Sequence, residues 1–253
     1  MSPLAASPRF RLWLILWLAG LLGAVVMTVT VLPQLLATMP LPAPLWVLSI
    51  ASFAQSSVLI GLATWAGVAL APAVGLRAPA FEAAAFARPI APALSPQLVP
   101  GVVAGVVGGF LLFAVTRIAP TALASLQERF SPPILARVLY GGVTEELLLR
   151  WGLMTTVLWL AWRFVQRRDG VPKAAFAWLA IAISALLFGA GHLPAAKVLL
   201  GTLEAPTVIY VLGANSAFGI AFGVLFWRFG LEAAMIAHAV AHVVNYVATL
   251  LAS

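Results

Sequence analysis

Apolar residues dominate the chain in long uninterrupted runs, separated by short segments that carry proline or charge. The first run, 12–36, contains no charged residue and exceeds the ~20 residues that a helix needs to cross a hydrocarbon core of about 30 Å. Further runs of this kind are predicted at 45–74, 102–115, 134–163, 174–191, 208–226 and 231–252. The pattern therefore predicts an all-α fold, a polytopic membrane helix bundle of seven transmembrane helices, or eight if one long run is broken.

The segments between the runs are mostly short. Residues 77–100 are the exception and are predicted as a long loop because they contain five prolines, with an alanine-rich middle suited to an interfacial helix. Residues 195–202 are too short to cross and suit a re-entrant or interfacial position. The first run is too long for the apolar part of a signal peptide and ends without a convincing small-residue cleavage site, so we predict that it is retained as a helix.

Glycines recur at four-residue spacing in two of the predicted spans. One set is Gly101, Gly105 and Gly109, and the other is Gly219 and Gly223. Small residues at this spacing lie on one helix face and allow a neighbouring helix to approach closely. We therefore predict tight helix packing at both sets.

Composition excludes a soluble globular enzyme. The chain has 253 residues, of which 63% are hydrophobic and 8% are charged, whereas soluble domains carry about 25% charged residues. Cysteine is absent, which excludes disulfides, thiolate metal ligands and a cysteine nucleophile. The net charge of +7 would suggest nucleic acid for a soluble protein, but here it fits arginines retained on the cytoplasmic side of a membrane.

The arginines and lysines predict the orientation. Most of them fall in alternate loops, at 9–11, 77–88, 163–173 and 228, and loops rich in such residues stay cytoplasmic. This places the N-terminus in the cytoplasm. The alanine, leucine and arginine usage, without an organelle signal, predicts a bacterial inner membrane. The four basic residues that do not fit this alternation are Arg117, Arg129, Arg137 and Lys197.

Charged residues inside the run 134–163 form the first candidate for chemistry. Glu145 and Glu146 are adjacent, and Arg150 follows four residues after Glu146. A charge at bilayer depth costs roughly 2.5–3.5 kcal/mol, so such residues need partners and usually have a function. Glu146 and Arg150 share a helix face and are predicted to pair. Glu145 lies about 100° further round the helix and is free for another partner.

All three histidines also lie in apolar runs. His238 and His242 are one helical turn apart and face the same way, Asn245 joins that face, and His192 comes from another run. Carboxylates and imidazoles can take a proton from water and pass it to a leaving amine. Imidazole and amide groups can donate to an oxyanion, and two histidines at this spacing with a further His or Glu also suit zinc.

These motifs, in this order, resemble those of the CPBP/ABI family of intramembrane proteases. The resemblance rests on Glu145-Glu146-x-x-x-Arg150, Phe188-x-x-x-His192 and His238-x-x-x-His242, and it covers roughly 102–253. The family includes the Ras-converting CAAX prenyl endopeptidases and bacterial bacteriocin-processing relatives. The resemblance divides the chain into N-terminal transmembrane helices with a loop, 1–100, and a protease core, 101–253.

The resemblance implies a role for each matched residue. Glu145 would activate a water with the help of His192, His238 would hold the oxyanion, and Glu146 would support the site. Arg150 would pair with a carboxylate. The family usually has Asn or Asp four residues after the last-helix histidine.

This chain has His242 at that position, so His242 and Asn245 are both candidates for the missing amide's function. Phe188 is a candidate for packing against His192 or for binding substrate. The cofactor is unknown, because zinc binding and a metal-independent mechanism both fit these residues.

The implied activity is an intramembrane endopeptidase that acts on a peptide or protein, including lipidated ones. The expected partners are the lipid bilayer and this substrate, with no nucleic acid. One alternative is a transporter in which the same groups form a proton or metal pathway, although no inverted repeat of the kind common in transporters is evident. A second alternative is a family member without protease activity that acts as an immunity or regulatory protein.

Overall fold

The computed structural model describes residues 7–37 and 40–252, without the side chains of 127–129. Within these ranges the chain is helical, with no strand. The helices are α1 (Pro8–Leu36), α2 (Leu45–Val74), α3 (Pro79–Ala85), α4 (Ile90–Arg117), α5 (Thr121–Arg129), α6 (134–165), α7 (Ala174–Gly191), α8 (Leu193–Leu200), α9 (Ala205–Phe229) and α10 (Leu231–Leu251). The predicted polytopic helix bundle is confirmed.

Among the described residues, six helices are long and apolar enough to cross a membrane. They are α1, α2, α4, α9, α10 and the run Ala174–Leu200, which joins α7 and α8 with only His192 between them. The sequence predicted seven or eight spans. The remaining long helix is α6, which carries Glu145, Glu146 and Arg150 and alternates between α-type and wider π-type turns along its length.

The segment predicted as a long loop is mostly helical. The prediction of a short third span at 102–115 was wrong, because α4 begins at Ile90 and contains Pro96 and Pro100. Proline removes a backbone donor, but transmembrane helices tolerate it where neighbouring helices and local adjustments satisfy the freed carbonyls. The alanine-rich part of the segment forms α3.

Both glycine sets lie where two helices approach closely, as predicted. A Cβ at Gly105 of α4 would lie 2.6 Å from the Cβ of Val240 on α10, and one at Gly109 would lie 2.5 Å from the Cβ of Val244. On α9, a Cβ at Gly219 would lie 2.9 Å from the Cα of Ala185 on α7. Any larger residue would push these helices apart.

Helix α6 is fixed by three neighbours. The hydroxyl of Thr144 donates to the carbonyl of Gly20 on α1 at 2.8 Å. The indole N–H of Trp151 donates to the carbonyl of Thr64 on α2 at 3.3 Å. The hydroxyl of Ser184 on α7 donates to the carbonyl of Leu149 at 2.9 Å. These bonds flank the charged residues of α6 and fix the direction in which they project.

Candidate active site

The charged residues lie where the backbone of α6 departs from a regular α-helix. The segments Arg137–Glu145 and Leu147–Met154 have π-type turns, with hydrogen bonds between residues i and i+5, and Glu146 lies between them. Such turns are rare and occur frequently at functional sites. Here they occur at the two adjacent glutamates, and Glu145 and Glu146 have different partners.

Glu146 links α6 to α10. Its Oε2 lies 3.2 Å from Nε of Arg150, and both side chains are fully buried. Its Oε1 accepts a hydrogen bond of 2.9 Å from Nδ1 of His238. The predicted pair of Glu146 with Arg150 is therefore present. The bond to His238, from a helix 92 residues later in the chain, joins three side chains into one connected group.

The guanidinium of Arg150 has further partners. Its Nη2 donates a long hydrogen bond of 3.4 Å to the carbonyl of Gly219 on α9. Its Cζ lies 5.0 Å from the ring centre of Phe188 and 5.8 Å from that of Phe222. A cation over aromatic faces is stabilised by the ring quadrupole, more so away from water. Arg150 therefore connects α6, α7 and α9 beneath the site.

The imidazole of His238 is held by its ring face and by Nδ1, and its Nε2 faces Glu145. Its ring stacks on Phe222 with centroids 4.5 Å apart. Its Nδ1 must carry a hydrogen, because the Glu146 carboxylate that it contacts only accepts. Its Nε2 lies 3.9 Å from Oε2 of Glu145. Because Nδ1 already donates to Glu146, Nε2 is a proton acceptor when the ring is neutral and a donor when the ring is an imidazolium.

His192 has the same arrangement as His238 at Nδ1, except that its partner is a backbone carbonyl and not a carboxylate. Its Nδ1 lies 2.8 Å from the carbonyl oxygen of Phe188, and its ring meets the Phe188 ring edge-on at 4.9 Å. A carbonyl only accepts, so Nδ1 donates and Nε2 of the neutral ring is left as a proton acceptor. The four-residue spacing from Phe188 to His192 is thus explained by this bond.

His242 lies beside His238, with ring centroids 5.0 Å apart. Gly141 of α6 faces both rings. A Cβ at Gly141 would lie 3.0 Å from Nε2 of His242 and 3.4 Å from Nε2 of His238. The missing side chain therefore leaves open a space that both Nε2 atoms border. Nδ1 of His242 is buried without a hydrogen-bond partner among the described residues.

These groups line a cavity of about 510 Å³. Four predicted ionisable residues and one predicted aromatic residue line it: Glu145, His192, His238, His242 and Phe188. Glu146 and Arg150 lie behind its wall and reach it through His238. Asn245 is not among the lining residues, although it is buried on α10. It is seven residues beyond His238, about 10 Å along the helix.

A family model describing type II CAAX prenyl endopeptidase Rce1-like proteins matches residues 127–244. Residues 127–244 form an Rce1-like domain. The resemblance to CPBP/CAAX proteases is therefore confirmed, and the domain is that of a CAAX-type intramembrane endopeptidase. No curated protein and no solved structure matches the chain significantly.

The Rce1-like domain holds His192 and His238 at one cavity despite their positions along their helices. His192 follows the last residue of α7, whereas His238 is in the second turn of α10. By these positions alone, the two histidines would lie at different depths in the membrane. Both contact Phe188, at 4.9 Å and 5.9 Å between ring centroids. The run that begins with α7 continues through α8 to Leu200, so His192 lies inside a candidate span and not at its end.

Several cavity residues of the Rce1-like domain were missed in the sequence. They are Tyr140, Gly141, Asn215 and Arg137. In the sequence, Arg137 was noted only for the membrane orientation and not for the site. Arg137 did not fit the alternation of basic loops, and the structure explains why, since it lines the cavity and donates to the carbonyl of Pro132 at 2.9 Å. Asn215 donates to the carbonyl of Val211 within α9 at 2.8 Å. The available signal for Arg137 was a basic residue inside an apolar run and outside the predicted loops.

The histidines and the glutamate of the cavity are residue types that can bind a metal ion. Among the described residues, no three histidine, cysteine or acidic side chains are grouped closely enough to hold one. Glu145 and Nε2 of His238 approach only to 3.9 Å. The mechanism proposed below uses only the side chains of the cavity and a water molecule.

Proposed function

We propose that the chain hydrolyses a peptide bond within or beside the membrane, using a water molecule activated by Glu145 and His192. The proposal rests on the surroundings of the Glu145 carboxylate. Its carboxylate lines the cavity, its side chain is 18% exposed, and it forms no hydrogen bond within the described residues. A carboxylate that accepts no hydrogen bond from any described residue and lies 3.9 Å from an imidazole is suited to take a proton.

The reaction follows from these acceptors. Glu145 takes a proton from the water while Nε2 of His192 accepts a hydrogen bond from it, and the water oxygen forms a bond to the carbonyl carbon of the substrate. The carbonyl oxygen becomes an oxyanion in the tetrahedral intermediate. The carbon–nitrogen bond then breaks, and the proton on Glu145 passes to the leaving amine. The products are a carboxylic acid and an amine, and the enzyme returns to its initial state.

The oxyanion would be stabilised by Nε2 of His238 and Nε2 of His242, which border the same space beside Gly141. Because Glu146 holds Nδ1 of His238, donation from Nε2 requires the imidazolium form. In that form the two positive charges of His238 and Arg150 balance the two negative charges of Glu145 and Glu146. A neutral total lowers the cost of burying these charges in an apolar environment. Glu146 and Arg150 are positioning residues in this mechanism.

The substrate proposed is a peptide or protein segment that enters from the bilayer, with a lipidated segment as the favoured class. A large part of the cavity lining is apolar and includes Met27, Val31, Leu35, Leu148 and Leu187. Such a wall suits apolar side chains or a covalently attached lipid. A bacterial inner membrane with a cytoplasmic N-terminus remains the predicted location.

Purified protein in nanodiscs should cleave lipidated peptides in water enriched in ¹⁸O and place one ¹⁸O atom in each new carboxyl group. Mass spectrometry of both fragments identifies the bond and the isotope. The matched control is the same peptide without its lipid, which should be cleaved more slowly. Absence of cleavage of every peptide, together with proton or metal flux in liposomes, would instead support the transporter.

His242 can be tested by three substitutions, because the position of the donor differs among them. We expect His242→Gln, whose amide extends furthest toward the place of Nε2, and His242→Asn, which restores the usual family residue, to retain most activity. His242→Ala should lose about 10²–10³-fold in turnover, the typical cost of one oxyanion donor. The measurement is kcat with metal content determined on the same samples.

Two other results would contradict the assigned role of His242. Unchanged turnover in all three variants would make His242 a packing residue. Loss of both activity and bound metal in the glutamine and asparagine variants would make it a metal ligand, since an amide is a poor zinc ligand beside imidazole.

A further inference from the structure

A groove on the outer surface of α1 and α2 shares no lining residue with the catalytic cavity. It consists of two adjoining cavities of about 520 Å³ and 460 Å³, which share Trp13 and Trp65. The first extends to Trp17, and the second ends at Arg9. We refer to this feature as the α1/α2 groove. From Arg9 to Trp17 it covers about 12 Å of helix, most of the depth of one apolar leaflet of about 15 Å.

The walls of the α1/α2 groove are mostly apolar, and two of the indole N–H groups along it are already paired. The indole N–H of Trp13 donates to the carbonyl of Gly61 at 3.0 Å, and that of Trp17 donates to the carbonyl of Ser57 at 3.0 Å. The two indole rings stack with centroids 5.3 Å apart. Trp65 on the opposite wall is 64% exposed. A long, mostly apolar groove in which Trp13 and Trp17 keep their N–H groups turned to backbone carbonyls suits an acyl chain.

One end of the α1/α2 groove is basic. Arg9 lines both the groove and a neighbouring cavity of about 390 Å³ that contains Arg77 and Glu82. Glu82 is bound to Arg77 at 2.6 Å, whereas Arg9 has no ion pair within the described residues. Arg88 lies next to the same pair. Where the apolar groove ends, Arg9 and Arg77 therefore line one cavity with a single carboxylate, that of Glu82.

We propose that the α1/α2 groove binds a phospholipid with a negatively charged headgroup, with an acyl chain along Trp13, Trp17 and Trp65 and the phosphate at Arg9. The charge at the end of the groove selects the headgroup, because an arginine near the membrane surface attracts anionic lipids. The groove extends over about 12 Å, which is close to the depth of about 15 Å that an acyl chain occupies in one leaflet. The proposal does not depend on the protease function, because the groove and the catalytic cavity are lined by different residues.

The test is native mass spectrometry of the full chain released from nanodiscs of phosphatidylcholine mixed with phosphatidylglycerol. Wild type should retain phosphatidylglycerol in preference to phosphatidylcholine. Arg9→Gln should lower this preference about fivefold, the effect expected for one arginine at the surface. The matched control is Arg11→Gln, which removes the same charge two residues away at an exposed position that lines none of these cavities. It should leave the preference unchanged.

The acyl-chain part of the proposal has its own pair of variants. Trp65→Ala should reduce retention of both lipids, whereas Trp46→Ala should not, although Trp46 on the same helix is equally exposed at 67%. Thermal unfolding in detergent without added lipid should be unchanged in all four variants. Equal retention of the two lipids by wild type would overturn the proposal. So would equal losses in Arg9→Gln and Arg11→Gln, since general positive charge would then explain binding.

Discussion

Glu145→Gln is expected to lower the rate of peptide cleavage by about 10²–10⁴-fold, the usual contribution of one general acid–base group. The amide keeps the size of the carboxylate but cannot take a proton from water. Because Glu145 forms no hydrogen bond within the described residues, the change removes no structural bond that the structure shows. The measurement is kcat of purified protein in nanodiscs, with thermal unfolding recorded on the same samples.

The matched control for this prediction is Glu204→Gln. Glu204 is exposed immediately before α9 and lines no part of the catalytic cavity, so the same chemical change there should leave kcat unaltered. Wild-type turnover in Glu145→Gln would contradict the proposed base. Lost turnover accompanied by a lower unfolding temperature would assign Glu145 to stability.

Helix ends were predictable where the sequence contains a physical stop signal. Helix α2 was predicted to the residue, because Pro44 precedes it and Gly75 ends it in the left-handed conformation with φ of 74°. The same reasoning failed at α4, where Pro96 and Pro100 suggested a loop. A proline is a reliable breaker in water, but the membrane penalises an unpaired backbone so strongly that a helix persists through it.

The local part of the site could be predicted and the long-range part could not. Helical spacing gave the pair of Glu146 with Arg150, and it gave the shared face of His238 and His242. It could not show that Glu146 also holds His238, because that contact joins residues far apart in the chain. Nor could spacing alone exclude Asn245, which shares the face of His238 but lies too far along α10 to line the cavity.

The π-type turns of α6 are a further feature that spacing cannot reveal. They change which residues face the cavity, and Tyr140 and Gly141 line it from within the first such segment. A prediction based on 3.6 residues per turn rotates the helix incorrectly across these turns. The sequence nevertheless indicated α6, α10 and the run that begins with α7 as helices that meet at one cavity, because each contributes a charged or imidazole side chain inside an apolar run.

Arg150→Leu is expected to lower the free energy of unfolding by about 3–5 kcal/mol, the typical cost of removing one partner of a buried ion pair. The side chains of Arg150 and Glu146 are both fully buried, with 3.2 Å between Nε and Oε2. Leucine would leave the Glu146 carboxylate with His238 as its remaining partner. The packing of the guanidinium against Phe188 and Phe222 would also be lost. The measurement is the unfolding free energy in mixed micelles, beside the exposed control Arg228→Leu.

A double variant distinguishes an unpaired charge from a simple loss of packing. Glu146→Gln removes the negative charge but keeps an oxygen that can accept from Nδ1 of His238. If the cost of Arg150→Leu comes from stranding a carboxylate, adding Glu146→Gln to it should restore part of the lost stability, since coupled residues are not additive. Further destabilisation in the double variant would attribute the effect to the aromatic contacts of Arg150. Normal stability of Arg150→Leu alone would show that the pair does not hold the helices together.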